Sequence, residues 1–96
     1  MIGLDLWAFF INSFKYRDQF TIVLEILKSV KKSKKGLRKT QIMEKARLNY
    51  VQTKKYLNYL LHMGYLAITE KNTYIITENG ARLLAIREIQ RLHAIR

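Results

Sequence analysis

Cysteine and proline are both absent from this chain of 96 residues. Without cysteine there are no disulfide bonds, no iron–sulfur clusters and no zinc sites with cysteine ligands. A composition that is 49% hydrophobic and free of proline favours a compact, mostly helical fold over a disordered tail. The length is typical of a single domain.

Glycine and acidic residues are scarce, with four glycines and seven Asp and Glu. The glycines are too scattered for a phosphate-cradling loop, and no two carboxylates form an obvious acid–base pair. Ser13, Ser29 and Ser33 lack the surroundings of an activated nucleophile. His62 and His93 are isolated from any carboxylate at ligand spacing. We therefore expect no enzyme activity, no metal, no cofactor and no small-molecule substrate.

Long hydrophobic runs are also missing. Only about ten residues near the start are continuously rich in apolar side chains, whereas a membrane-spanning helix needs roughly 20. The same stretch has no basic leader and contains Asp5, so it does not resemble a secretory signal. We expect a cytoplasmic protein.

Residues 1–16 form an apolar N-terminal extension. Leaving its large side chains in water costs roughly 1.5–3 kcal/mol each relative to burial. We expect them to pack on the same chain or on a partner subunit. A membrane-surface anchor is the alternative, although it would need a more basic polar face. These side chains are Ile2, Leu4, Leu6, Trp7, Phe9, Phe10, Ile11 and Phe14.

Positive charge is in large excess, with 18 Lys and Arg against 7 Asp and Glu and a net charge of +11. Such an excess repels itself in the folded state, and an anionic partner relieves the repulsion. The common polyanions are nucleic acid and the anionic membrane surface. The charge is also unevenly placed, because eleven basic residues and one acid, Glu44, lie between Lys28 and Lys55.

The apolar pattern after residue 17 predicts a first helix that Asp18 caps and that runs to about Lys32. Two apolar stripes at helical spacing indicate that it is covered on two sides. The first stripe contains Phe20, Val23, Leu24, Leu27 and Val30, and the second contains Ile22 and Ile26.

Residues 31–36 are expected to form a loop, and residues 37–39 a very short strand. Thr40 is a suitable N-cap for a short second helix that ends near Arg47. Its inward residues are expected to be Ile42, Met43 and Ala46.

Asn49 and Gln52 have the spacing of a capping box for a third helix that runs to about Met63. Gly64 suits the left-handed position that ends a helix. One face is expected to be buried and to carry Thr53, Leu57 and Leu60. The opposite face carries Val51, Lys55, Asn58 and His62.

Residues 65–69 and 73–77 are expected to be strands, and Asn72 suits the tight turn between them. A last helix begins at Thr77 or Glu78 and runs to near Arg96. The fold class is therefore mostly α with a small β-hairpin (α+β). Two short helices joined by a tight turn and followed by a hairpin predict a winged helix-turn-helix.

In a helix-turn-helix, the basic neighbourhood of this chain lies against a DNA phosphate backbone, so the predicted partner is double-stranded DNA. The outer face of the third helix is the predicted reading surface. It carries lysines for phosphates or guanine, amides for paired bonds to adenine, and a tyrosine for phosphate or sugar. The predicted contacts are Lys34, Lys35, Arg38, Lys39, Arg47, Tyr50, Gln52, Lys54, Lys55, Asn58, Tyr59 and, on the wing, Lys71.

Five segments in this order resemble a known family: KTQIMEKA at 39–46, LNY at 48–50, KYL at 55–57, LLHMG at 60–64 and YIITENG at 74–80. They are similar to the small winged-helix chromatin proteins of crenarchaea, the ten-kilodalton Sulfolobus class. The resemblance covers about residues 17 to 92. It implies binding with little sequence selectivity, in DNA compaction or bridging, and hence association with the nucleoid.

The resemblance also implies a homodimer whose C-terminal helices pair as an antiparallel coiled coil. Carried over to this chain, Ala85, Ile89 and Leu92 line the pairing seam, with Ile86 at its edge. The expected organisation is an apolar extension at 1–16, a winged-helix domain at 17–80 and a dimerisation helix at 81–96, forming one globular unit.

Three alternatives stay open. A sequence-specific transcriptional regulator uses the same fold, and the absence of arginine on the reading face only favours weak preference. An RNA-binding protein is the second. A protein or membrane interaction module that uses residues 1–14 is the third.

Overall fold

The computed structural model describes the backbone of residues 18–95 and the side chains of residues 18–90. The elements are α1 (Gln19–Lys32), α2 (Lys39–Lys45), α3 (Tyr50–His62), β1 (Leu66–Ile68), β2 (Tyr74–Ile76) and α4 (Glu78–Ile95). The expected order of helices and hairpin is confirmed. The prediction for the apolar extension at 1–16 lies outside the described residues.

Helix α1 begins where the sequence predicts. The Asp18 carboxylate accepts a hydrogen bond from the Thr21 N–H at 2.7 Å. This bond satisfies one of the N–H groups that a helix start leaves unpaired. It also lowers the pKa of the Asp18 carboxyl below its ordinary value, because it favours the charged form.

The buried face of α1 differs from the two separate sides that the pattern suggested. At 100° per residue the buried side chains occupy a single arc of about 140°, and Phe20, 36% exposed, lies at its edge. The stripe of Ile22 and Ile26 therefore belongs to the core, and the prediction of two covered sides is wrong. The buried residues are Ile22, Val23, Ile26, Leu27 and Val30.

Helix α2 begins two residues earlier than a Thr40 cap would allow, because its first residue is Lys39. Arg38 is the N-cap, and its N–H donates to the Gln41 side-chain carbonyl at 2.8 Å. Just before it, Leu37 exchanges two backbone hydrogen bonds with Tyr74, at 3.0 and 2.7 Å. The short strand is thus a single bridge at Leu37. The bridge fixes the backbone at Leu37, and the N-cap of the helix is the next residue, Arg38.

Helix α3 has the predicted capping box. The Gln52 N–H donates to the Asn49 side-chain oxygen at 2.7 Å, and the Asn49 N–H donates to Gln52 Oε1 at 3.1 Å. The buried Thr53 hydroxyl donates to the Asn49 carbonyl at 2.7 Å, so its polar atom is satisfied inside the core.

The end of α3 is a Schellman motif. Gly64 has φ +77°, and its N–H donates to the Leu61 carbonyl at 3.1 Å. The next N–H, from Tyr65, reaches back to the Leu60 carbonyl at 2.9 Å. These two bonds define the motif, and the left-handed position favours glycine.

The hairpin pairs β1 with β2 antiparallel, with Leu66 opposite Ile76. Its turn contains Asn72 at φ +62°, as the sequence predicts. After β2, the Thr77 hydroxyl donates to the Gly64 carbonyl at 2.6 Å and accepts from the Gly80 N–H at 3.1 Å. One side chain therefore joins the end of α3 to the start of α4.

The core lies where α1, α2, α3 and the hairpin meet. It is almost entirely aliphatic, and the one buried polar residue in the described part of the chain is Thr53. The core residues are Ile22, Val23, Ile26, Leu27, Val30, Leu37, Ile42, Ala46, Leu48, Leu57, Leu60, Leu66, Tyr74 and Leu84.

Gly80 offers a direct test of how α4 packs on the hairpin. A Cβ at this position would clash with the Tyr65 carbonyl oxygen and approach Ile76 Cγ1 at 2.9 Å. We expect Gly80→Ala to lower the free energy of unfolding by about 1–3 kcal/mol in urea denaturation, although alanine is the better helix former.

Asn79→Ala is the matched control, because Asn79 is the exposed preceding residue of the same helix. It should change stability by no more than about 0.5 kcal/mol. A Gly80→Ala protein as stable as the unmodified protein would contradict the close contact.

Candidate nucleic-acid interface

The predicted contact residues lie on four neighbouring parts of the chain: the loop before α2, the start of α2, the turn into α3, and α3 itself. Lys71 lies apart at the hairpin tip. All twelve are exposed except Lys39, which is half-buried. Eleven of the twelve side chains are therefore accessible to solvent.

The loop between α1 and α2 is a tight turn. The Gly36 N–H donates to the Ser33 carbonyl at 3.2 Å, and the Ser33 hydroxyl donates to the Gly36 carbonyl at 2.8 Å. Gly36 has φ +87°, and a Cβ there would meet the Tyr74 carbonyl oxygen at 2.8 Å. Lys34 and Lys35 occupy the centre of this closed turn, where both are exposed.

The starts of α2 and α3 are connected by a cation–π contact. Lys39 Nζ lies 5.4 Å from the centre of the Tyr50 ring, within the range of such interactions. Neither helix has an acidic residue in its first turn. The partial positive charge at each helix start is therefore not neutralised by a neighbouring carboxylate.

The turn between α2 and α3 places Arg47 in the left-handed region, at φ +55°. Its N–H donates to the Glu44 carbonyl at 3.2 Å, and the Leu48 N–H donates to the Met43 carbonyl at 3.0 Å. This is the same Schellman motif that ends α3, with arginine where glycine is usual. The exposed Arg47 thus occupies the corner of the helix-turn-helix at a conformational cost.

The outward face of α3 is the predicted one. Thr53, Leu57 and Leu60 are at most 1% exposed. Because helix geometry places positions 51, 55, 58 and 62 on the opposite side, these residues face away from the core. The row consists of Val51, Lys55, Asn58 and His62, all exposed, with Lys54 beside it.

Gln52 has the capping role that its spacing from Asn49 predicts, and this role bears on its predicted contact with adenine. Its Oε1 accepts the Asn49 N–H in the capping box. A paired contact to adenine uses both the carbonyl and the amino group of an amide side chain. The structure therefore assigns this carbonyl to the helix cap, and Asn58 is the amide in the outward row.

Tyr59 lies toward α1 rather than at the centre of the reading face. Together with Lys55 and Tyr56 it lines a cavity of about 280 Å³ against Gln19, Phe20 and Val23. Tyr59 is 48% exposed, so its ring packs partly against α1. This places it at the edge of the outward row.

Two basic residues lie away from this surface. Lys28 pairs with Glu88 at 3.9 Å and so faces α4. Lys71, at the hairpin tip beside Glu70, donates its backbone N–H to the Thr69 hydroxyl at 3.3 Å. The basic surface is thus the loop, the start of α2, the turn and α3.

The sequence prediction assigned no role to Val51, although it placed Val51 on the outward face. It is 73% exposed. The signal for it was an apolar residue in the first turn of a helix, opposite the buried face. Exposure of that size is visible only once the neighbouring elements are in place.

The described residues also bear on two other features, a metal site and a membrane-spanning helix. Among residues 18–90 no group of three or more His, Asp or Glu side chains is placed to hold a metal ion. No helix in the described part of the chain is long and apolar enough to cross a membrane.

Comparison with known proteins gives one family and one relative. A family model described as winged helix-turn-helix matches residues 16–94. An uncharacterized protein of the archaeon Methanocaldococcus jannaschii is 40% identical over 77 residues, which is 79% of this chain and 35% of that protein. The chain thus spans about a third of the length of this relative.

The left-handed Arg47 has a testable consequence for stability. Arg47→Gly should raise the free energy of unfolding by roughly 0.5–1 kcal/mol, because the relieved steric cost exceeds the added entropy of the unfolded chain. Thermal denaturation measures the change. Lys45→Gly, two residues earlier and inside α2, is the control and should lower stability by about 1 kcal/mol. Destabilisation by both substitutions would contradict the assignment of strain to Arg47.

Proposed function

The chain belongs to the winged helix-turn-helix family, and on this premise we propose that it binds double-stranded DNA. Helix α3 enters the major groove, and the turn with Lys34 and Lys35 lies along the phosphate backbone. The observation that carries the proposal is the concentration of exposed basic residues on this one motif.

The charge distribution supports this orientation. Eleven basic residues and a single acid, Glu44, lie between positions 28 and 55. Within the described residues, most of the remaining acids lie elsewhere: Asp18, Glu25 and Glu88 line the groove between α1 and α4, and Glu78 pairs with Arg82. An approaching polyanion is therefore attracted to the helix-turn-helix face and not to the opposite one.

We propose that phosphate contacts supply most of the affinity and that sequence selectivity is low. Helix α3 contains no arginine, the residue that most often specifies guanine. The cap also occupies the Gln52 carbonyl. A sequence-specific regulator would bind its site at least roughly a thousandfold more tightly than random DNA, so a competition assay separates the two roles.

A homodimer formed through α4 completes the proposal. Ala85, Ile86 and Ile89 are exposed, the two isoleucines at 50% and 55%, whereas Leu84 on the other side of the helix is buried. The side chain of Leu92, the fourth residue of the predicted seam, lies outside the described residues. An unpaired row of aliphatic side chains on one face favours pairing with a second copy. Two linked DNA-binding surfaces can then bridge or compact DNA in the nucleoid, as in the crenarchaeal chromatin proteins that the sequence resembles.

The DNA-binding proposal is tested by fluorescence anisotropy with a random-sequence duplex of about 30 base pairs at several salt concentrations. We expect the logarithm of the association constant to fall linearly with the logarithm of the salt concentration. The slope should steepen by about 0.9 for each phosphate contacted. The variant Lys34→Ala/Lys35→Ala should bind more weakly and reduce this slope by up to about 1.8 per subunit.

The matched control is Lys28→Ala/Arg82→Ala. It also removes two positive charges, but from residues that pair with Glu88 and Glu78. It should leave the salt slope nearly unchanged. Equal losses in both double variants would mean that net charge, and not the helix-turn-helix surface, determines binding. An unmodified protein that binds no duplex at low salt, or prefers structured RNA, would overturn the proposal.

The dimer is tested by Ile89→Glu, which places a charge in the centre of the exposed row. We expect the molar mass measured by light scattering to fall from that of a dimer to that of a monomer, because a buried unpaired carboxylate opposes association. DNA affinity should fall with it, since two linked sites bind more tightly than one.

Ile68→Glu on β1 is the control, because Ile68 is similarly exposed at 48% but lies on the hairpin. It should retain the dimer. A monomeric unmodified protein, or an Ile89→Glu protein that stays dimeric, would rule out pairing through this face.

A further inference from the structure

Val51 is an apolar side chain on the polar and basic outward face of α3. It is 73% exposed, the highest value among the large apolar side chains of the described residues, ahead of Tyr50 at 56%. Its neighbours one and two turns along the same row are Lys55 and Asn58, both polar. Val51 is therefore the single apolar side chain of this outward row, next in sequence to the exposed Tyr50 ring.

Nothing in the fold itself requires valine at this position. The side chain does not reach the core, which α3 contacts through Thr53, Leu57 and Leu60. Capping of the helix start is carried out by Asn49 and Gln52. A β-branched residue is also a poorer helix former than the polar residues that usually occupy an exposed first turn.

The position of Val51 along α3 makes it a candidate for base contact. It is the second residue of the helix, which begins at Tyr50. Recognition helices of the helix-turn-helix class contact base edges mainly through their N-terminal residues. The major groove presents one apolar group, the 5-methyl of thymine, and apolar side chains read it by direct contact.

A lone isopropyl group matches this methyl better than it matches a protein partner. Protein-docking surfaces present contiguous apolar area, whereas the other residues of this outward row are the charged Lys55 and the polar Asn58 and His62. The same charge is complementary to the phosphates that flank a base step. The surface thus combines basic residues that attract the DNA phosphates with one apolar side chain that can contact a base.

We propose that Val51 contacts the 5-methyl group of thymine and gives the protein a preference for an A·T pair at that position. This inference rests on the DNA binding proposed above. It adds a modest base preference to binding that is otherwise directed by phosphates.

The test uses one arbitrarily chosen duplex sequence in two forms. The first form contains thymidine, and the second contains deoxyuridine at every thymidine position. The substitution removes only the methyl group. We expect the unmodified protein to bind the thymine duplex about fourfold more tightly for each methyl contacted. This ratio corresponds to the free energy of removing one CH₂-sized group from water. Val51→Ser, which presents a polar group in place of the isopropyl group, should lose this ratio and bind both duplexes with similar affinity.

Ile68→Ser is the matched control, since it makes a similar apolar-to-polar change at an exposed position of the hairpin and should keep the fourfold ratio. Because Val51 is exposed, we expect Val51→Ser to remain folded, and thermal denaturation checks this. A ratio that persists in Val51→Ser would show that DNA stiffness, and not this contact, distinguishes the duplexes, and would overturn the inference. Equal binding of both duplexes by the unmodified protein would overturn it too, while leaving DNA binding intact; binding of neither would refute DNA binding itself.

Discussion

The burial of one face of α3 is the constraint on which the rest of the structure depends. Thr53, Leu57 and Leu60 are each at most 1% exposed, and the two leucines belong to the core cluster that also contains side chains of α1, α2 and β1. Because a helix is rigid, fixing this face also fixes the opposite one. The row from Val51 to His62 points outward as a consequence of core packing, before any partner is considered.

The core and the capped helix ends also hold together a chain that carries a large positive charge. Self-repulsion opposes compaction of the basic loop and of both helices of the motif. The aliphatic core opposes this repulsion, as do hydrogen bonds within the Ser33–Gly36 turn and between Leu37 and Tyr74. The basic side chains can therefore stay exposed on a defined surface.

Much of this architecture could be predicted from local signals. Asp18 and Asn49 cap the helices that they were expected to cap, Gly64 ends α3 in the left-handed conformation, and Asn72 occupies the hairpin turn. Each of these depends on a side chain and a backbone group within a few residues of each other. The predicted start of α2 was wrong by two residues, since Arg38 and not Thr40 is the N-cap, directly after the bridge between Leu37 and the distant Tyr74.

The sequence by itself determined the element order, the caps of α1 and α3, the charge excess and the alternation of inward and outward residues on α3, because these follow from composition and from spacing within single elements. Tertiary structure decided what depends on packing between elements. It merged the two stripes of α1 into one buried face, placed Lys28 beside Glu88, and left Val51 exposed. The physical reason is that periodicity states which residues share a face, whereas only the neighbouring elements determine which faces are covered.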